Sequence, residues 1–439
     1  MKQVLTFFMA FVISFSFSQE KKVWDLQECI DYAYENNIAI KQGENSLLTN
    51  EQDIKASKGN FLPSLSANAN QSLSLGTVEL YPGNFADRTF HSTSFGINVS
   101  QNVFSGFRNK LIYEQSKLGL EKGNLEQGKL IDDIGLFVVN TYLNILFNKE
   151  NLDIAKAQYA FSEKQLKQVQ DLVESGVQPK ANLFDAEATL SNDAQKVTIA
   201  ENNHDLSLLQ LAQLLQIPYI GFDVEVVDVG TPSASMMYDD ISLILSEAFE
   251  RRNEIRIAEK DIESAQLGVD LSKSGYYPNV SLGYGFNTGA NFSNLNSSNS
   301  FFQQINDNKG HGFNLNVGIP IFSRFQNKTS VAKSKIQVEN SKLSLEQAKL
   351  DLESTIQNAY TDAQAALKTY VAAEKSLTSQ QLAFDNSLER YNIGALNNFE
   401  LEQARIRLIN AESSLINAKY DFVFKTKVLD FYVGKTITF

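Results

Sequence analysis

The chain has 439 residues, with 39 Lys plus Arg against 51 Asp plus Glu, a net charge of −12 and an ordinary hydrophobic fraction of 43%. That balance disfavours nucleic acid as a partner, because neutralising phosphates needs a concentrated basic surface. One cysteine, Cys29, forms no internal disulfide; with only His91, His204 and His311 beside it the usual zinc ligand set is missing, which disfavours a metalloenzyme and leaves only an all-carboxylate site open.

Residues 1–18 read as a secretory signal peptide: Lys2, an apolar run over 4–15, and Ser16-Phe17-Ser18 before Gln19. Cleavage removes Lys2 and no acid, and Gln19 is not the cysteine a lipid anchor needs. Beyond it the longest apolar stretch, 134–147, is interrupted by Asn140, Thr141 and Asn144 and falls short of the roughly 20 residues of a spanning helix. Any contact with a bilayer is therefore expected through strands.

Residues 19–60 form the next segment, with a helix over 25–60 carried by Leu26, Ile30 and Ala33 and ending ahead of Pro63. The segment 61–104 alternates strictly: Leu65, Ala67, Ala69, Leu73 and Leu75 interleave with Ser64, Ser66, Asn68, Asn70, Ser72 and Ser74, and Phe95, Ile97, Val99 and Val103 with Gly96, Asn98, Ser100 and Asn102. Two strands with a long polar loop over 76–90 are expected. Residues 105–215 read as a long helical hairpin turning at 175–180, and 216–239 as a connector broken by Pro218, Gly221, Gly230 and Pro232.

The plan then repeats. Residues 240–276 are helical (Ile244, Ala248, Ile255); 277–322 holds two more alternating strands around a loop over 288–310; 323–432 is a second hairpin turning at 392–398; and 433–439 is a tail. Phe104-Ser105-Gly106-Phe107-Arg108-Asn109-Lys110 matches Phe322-Ser323-Arg324-Phe325-Gln326-Asn327-Lys328, and Gly176, Leu183, Ala186 and Leu190 return at the same offset as Gly394, Leu401, Ala404 and Leu408. Three ordered matches, with the segments around Pro63 and Pro278 as the third, mean an internal duplication.

Dyad-patterned strands of about ten residues are the signature of a membrane β-barrel. Aromatics flank one end of the strands, Phe61, Phe104 and Phe107 in one half and Tyr276, Tyr277, Phe322 and Phe325 in the other, as a membrane-interface girdle requires. Four strands cannot close a barrel and hydrocarbon tolerates no open edge, so two or three chains must share one. The second long helix, free of Pro and Gly from Ser323 to Tyr391, spans roughly 100 Å at 1.5 Å per residue. Its Ala-rich stripe (Ala359, Ala363, Ala366, Ala373) suits a coiled-coil cylinder.

Trp24-Asp25-Leu26-Gln27-Glu28-Cys29-Ile30-Asp31-Tyr32-Ala33 running into Asn36-Asn37, the Leu62-Pro63-Ser64-Leu65 switch, Val103-Phe104-Ser105-Gly106 and the tip from Gly394 to Ala404 together resemble the TolC-like outer-membrane efflux proteins. The resemblance covers the mature chain in both halves. It implies a mixed α+β membrane protein of the Gram-negative outer membrane with a long periplasmic extension. It further implies a homotrimer: a 12-stranded β-barrel in outer-membrane lipid, continued by a 12-helix α-barrel, with 216–239 and 433–439 in an equatorial belt. Its implied role is a passive duct for efflux or type I secretion, docked to a periplasmic adaptor and an inner-membrane RND or ABC pump, without cofactor or catalysis.

The resemblance also implies acidic gate residues past the second tip glycine. Glu400 meets the pattern, while the second acid is replaced by Gln403, with Glu402 beside it. Adaptor-docking positions would be Gly176, Val177 and Leu183 in the first tip and Gly394, Ala395 and Leu396 in the second; turn formation and capping account for the two glycines equally well. The P-loop-like Gly123-Asn124-Leu125-Glu126-Gln127-Gly128-Lys129 has Leu130 where a magnesium-binding hydroxyl belongs, so nucleotide binding is not expected. A secreted or surface coiled-coil structural protein or adhesin with a soluble β head is the other class these patterns fit.

Overall fold

The computed structural model describes residues 23–226 and 240–435. The signal segment 1–18, connector residues 227–239 and tail residues 436–439 lie outside the described residues. The first repeat contains β1 (Val23–Trp24), α1 (Leu26–Asn36), α2 (Ile38–Gly59), β2 (Ser64–Tyr81), β3 (Asn84–Ser105), α3 (Arg108–Glu174), α4 (Lys180–Leu215) and β4 (Asp223–Val224). The second contains α5 (Ile241–Arg251), α6 (Asn253–Lys273), β5 (Asn279–Ser293), α7 (Phe301–Asp307), β6 (Gly310–Gly318), α8 (Gln326–Asn392) and α9 (Asn398–Tyr432).

Two compact units divide the chain. The strand unit, residues 44–125 and 256–347, holds one antiparallel sheet in the order β2-β3-β5-β6. The helices that continue these strands keep the same order. Lys58 of α2 lies over the Tyr113 ring of α3; Lys122 of α3 pairs with Asp261 of α6 at 2.6 Å; and the hydroxyls of Ser272 and Ser334 join α6 to α8 at 2.7 Å. Each strand thus passes into a helix without changing neighbours.

The repeated Phe104 and Phe322 motifs build this passage. Asn109 Nδ2 donates to the Asn60 carbonyl at 2.9 Å, and its counterpart Asn327 donates to that of Gly275, tying each outgoing helix to the turn ahead of the neighbouring strand. Gly106 sits at φ +62, where a Cβ would stand 2.5 Å from the Ser274 carbonyl oxygen and 2.8 Å from Tyr277 Cβ. The second repeat places Arg324 at φ +49 in the equivalent position, and that side chain is exposed. Left-handed geometry disfavours a Cβ by about 1–2 kcal/mol, so Arg324→Gly is expected to stabilise the protein by about 1 kcal/mol. A urea midpoint that falls rather than rises would refute this.

The hairpin unit, residues 1–43, 126–255 and 348–439, has its main core where α1 meets the middle of α3 and the end of α4. Cys29, Ala33, Val138, Val139, Tyr142, Leu146, Leu211 and Leu215 are buried there. β1 and β4 pair in parallel, and the Tyr142 hydroxyl donates to the Glu225 carbonyl at 2.7 Å; burial is the main reason its pKa is pushed up. Helix α3 is long and apolar enough to cross a membrane by length and composition alone. Part of its apolar stretch supplies this core through Val138, Val139, Tyr142 and Leu146, while Phe137 is exposed. In the second hairpin Ala366, Tyr370 and Ala373 of α8 pack on Ala418 and Phe422 of α9, with Tyr370 and Phe422 stacked at 6.2 Å.

Three expectations need correction. Residues 76–90 are not a loop: β2 and β3 run through them and turn at Pro82-Gly83, with Gly83 at φ +81, because the alternation persists in less apolar residues. The second connection is a loop, as expected, but it starts later than 288, because β5 runs to Ser293, and it carries the short helix α7. Finally, the helices expected over 25–60 and 240–275 are each broken, at Asn37 and Arg252, both with extended backbone. Asn37 Oδ1 accepts from the Ala39 amide at 2.8 Å, opening α2. Arg252 is held bidentately by Glu254 at 2.9 and 3.2 Å and lies over the Phe431 ring.

Candidate channel wall and hairpin tips

The two faces of the sheet differ completely in chemistry. Cross-strand register puts Ser66, Asn68, Ser94, Gly96, Asn98, Gly283, Gly285, Asn287, Asn314 and Asn316 on one face. Over 64–74, 92–100, 281–291 and 310–318 this face holds only Ser, Asn and Gly. The amide of Asn68 folds over Gly96 and that of Asn314 over Gly283, so that a Cβ there would displace them; Asn98 Nδ2 donates to Asn68 Oδ1 at 3.1 Å. The other face carries Leu65, Phe95, Ile97, Leu282, Phe313, Leu315 and Val317, with Leu65 at 72% and Phe313 at 81% exposure. Such exposure of large apolar side chains along one face marks it for an apolar environment. The opposite face is polar, uncharged and small.

The aromatics expected at the strand ends lie there. Phe104, Phe107 and Tyr277 meet edge to face, with centroids 5.3 and 6.0 Å apart, and Phe322 meets Phe325 at 5.9 Å. Phe61 and Tyr276 flank the same turns and are exposed. Phe107 and Phe325 adopt positive φ, an uncommon geometry for a bulky side chain.

Both hairpin tips are Schellman turns. Gly176, at φ +76, donates to Val173 O, and Val177 to Leu172 O; Gly394, at φ +74, donates to Tyr391 O, and Ala395 to Arg390 O. The repeat therefore preserves a helix stop that needs glycine at this position. Val177, Gly176, Gly394 and Ala395 are exposed, whereas Leu396 packs on Phe384, Leu401, Ala404 and Leu408 and Leu183 is half-buried.

The acidic positions separate. Glu400 is exposed in the first turn of α9, its amide capped by Asn397 Oδ1 at 2.8 Å; Gln403 is exposed as well. Glu402 is instead held by Arg405 through contacts of 2.6 and 2.9 Å. Arg405, 5% exposed, also pairs at 2.9 Å with Asp193, 1% exposed, and donates to Ser162 Oγ at 3.0 Å. Ser162 in turn hydrogen-bonds Asp193, and Phe161 lies against the guanidinium. Burial raises the Asp193 pKa, but hydrogen bonds from Ser162 and Lys196 and the charge of Arg405 outweigh it, so the carboxyl titrates below its usual range. The first and second hairpins are joined here by a buried charge cluster absent from the sequence reading. Its one trace is Arg405 beside Leu401, Ala404 and Leu408, a charge against the buried stripe. Among the described residues no group of metal-ligating side chains is assembled.

A profile of the outer membrane efflux protein family matches residues 29–215 and 244–435, both repeats. The chain belongs to this family. The efflux protein is 23% identical over 437 residues to the outer membrane protein TolC of Vibrio cholerae, covering 99% of this chain and 96% of that one. Its fold matches CusC with a TM-score of 0.78 at 18% identity, covering 94% and 92% of the two chains. VceC of Vibrio cholerae matches with a TM-score of 0.74 at 15% identity, covering 94% and 97%. The protein is accordingly an outer-membrane efflux channel of the Gram-negative envelope, mostly helical with sheet.

Proposed function

We propose that three copies of this efflux protein close a 12-stranded barrel through outer-membrane lipid, with their helices continuing it as a 12-helix tube in the periplasm. The observation that carries this reading is the four-stranded sheet: apolar on one face, Ser/Asn/Gly on the other, and with no strand beyond β2 or β6 among the described residues. In hydrocarbon those edges require partners, and only closure with other copies provides them. The apolar face then meets lipid and the small polar face lines a wet, uncharged lumen. Light scattering in detergent should return the mass of three chains, and planar bilayers should register ohmic conductance. A monomer that stays soluble without detergent would overturn the reading in favour of a secreted coiled-coil protein.

In this reading the duct is passive. A periplasmic adaptor seats at the tips beside Gly176, Val177, Leu183, Gly394, Ala395 and Leu396, and an RND or ABC pump in the inner membrane supplies energy and chooses the cargo. Residues 216–226 and 433–435 belong to a belt around the tube. Glu400, repeated by threefold symmetry, forms a ring of carboxylates at the narrow end, with Gln403 beside it; Glu402 supports the ring from its pair with Arg405. A ring of acids attracts cations, so Glu400→Ala should move the reversal potential under a salt gradient towards zero. An unchanged potential would remove Glu400 from the pore.

A further inference from the structure

Helix α7 lies on the wrong side of the sheet to be a plug. Residues 282, 284 and 286 of β5 point to the apolar face, and by the same alternation so do Thr288 and Ala290. It is those two that lose solvent, to 9% and 0% exposure. The cover is α7: Thr288 Oγ1 donates to the Ile305 carbonyl at 2.5 Å. The backbone on either side is fixed as well. The Asn291 amide donates to Gln304 Oε1 at 2.8 Å, and Asn308 Nδ2 donates to the Gly289 carbonyl at 2.7 Å. The segment is thus built onto the sheet rather than hanging from it. Phe302 remains 82% exposed on its outer side.

Strand length places this helix along the membrane normal. Val280 to Ala290 on β5 matches the roughly 9–11 residues in which a tilted strand crosses a bilayer. The crossing starts beside the aromatics around Tyr277 and ends under α7. At that level Thr93, hydrogen-bonded to Gln71, interrupts the apolar face of the neighbouring strands, which resumes on β2 at the exposed Leu73 and Leu75. A short helix on the outward face at this height, with an exposed aromatic ring and flanking Asn and Ser, matches the amphipathic chemistry of the membrane–water interface.

We propose that α7 is an outer-leaflet anchor: it lies outside the barrel wall with Phe302 in the interfacial layer of the lipid, leaving the lumen clear of this loop. The inference rests on the barrel reading above. Its occupant is lipid, because the covered face is continuous with the apolar face formed by Leu282, Phe313 and Leu315.

The test uses the full-length protein in phosphatidylcholine vesicles, with an environment-sensitive fluorophore on Phe302→Cys, Phe313→Cys or Asn316→Cys and a lipid-borne nitroxide quencher. Cys29 is buried, which directs labelling to the new thiols. Phe313 reports the apolar face and Asn316 the polar one. The expected result is that the label at 302 is quenched to within about twofold of that at 313 and about fivefold more than that at 316, as an interfacial position requires. Quenching at 313 with a 302 signal no greater than that at 316 would overturn the anchor and leave the barrel standing. No lipid quenching at 313 would instead overturn the barrel reading, and the anchor with it.

Discussion

Arg405→Ala is expected to lower the stability of the protein by about 3 kcal/mol, because removing one partner of a buried ion pair leaves the other charge only partly compensated. Asp193 is that partner, 1% exposed. Lys196 is its remaining cation. The measurement is urea unfolding in detergent followed by the fluorescence of Trp24, the sole tryptophan, which packs edge to face on Tyr32 in the same unit. Asp193→Asn should cost less, since Arg405 keeps its bidentate contact with Glu402. Equal losses for the two variants would mean that the cluster acts through packing and not charge. The pH dependence has a definite sign. The folded-state pKa of Asp193 is depressed, so its contribution is present above the unfolded carboxylate value and disappears as pH falls through the folded one. In Arg405→Ala the buried carboxyl should titrate higher, so the deficit relative to the parent should shrink in acid. A deficit independent of pH would contradict the assignment.

Gly106→Ala should be costly despite adding a single methyl group. Two effects act together. The backbone stays at φ +62, which adds about 1–2 kcal/mol for a residue with a Cβ. That Cβ also meets the Ser274 carbonyl oxygen at 2.5 Å, a backbone atom that cannot rotate away, and overpacking of this kind costs about 1–3 kcal/mol. Together these give a loss of about 2–5 kcal/mol, expressed as a lower urea midpoint. Gly394→Ala provides the control: it has the same sign of φ but nothing within 4 Å of an added Cβ, so only the conformational part should appear. Equal effects at the two glycines would show that contact with Ser274 carries no weight.

The break points show why some features escaped a linear reading. Apolar spacing runs through Asn37 and Arg252 without interruption, so one helix is the natural expectation. Each break is stabilised by partners remote in sequence: Asn37 reaches the Leu214 carbonyl, and Arg252 reaches Asp132 at 3.5 Å. The Asp132 carboxyl there is raised above its ordinary pKa, first by burial, with Arg252 opposing the shift. The 76–90 segment failed for a different reason. Its strands carry Thr77, Glu79, Asp87 and Arg88 in place of a clean apolar face, and only their pairing across the Pro82-Gly83 turn holds them extended.

The duplication, the order of strands and long helices, the two tip turns and the strict chemistry of the two sheet faces are all legible in the residue pattern. Each of these is local: a period of two or of three and four residues, or a glycine where the chain must turn left-handed. That the helices keep the strand order, that Glu402 belongs to Arg405 and Asp193, and that α7 covers the apolar face follow from the packed fold alone. Those facts depend on residues up to 243 positions apart, as Arg405 and Ser162 are, and packing between distant segments leaves no periodic trace in either.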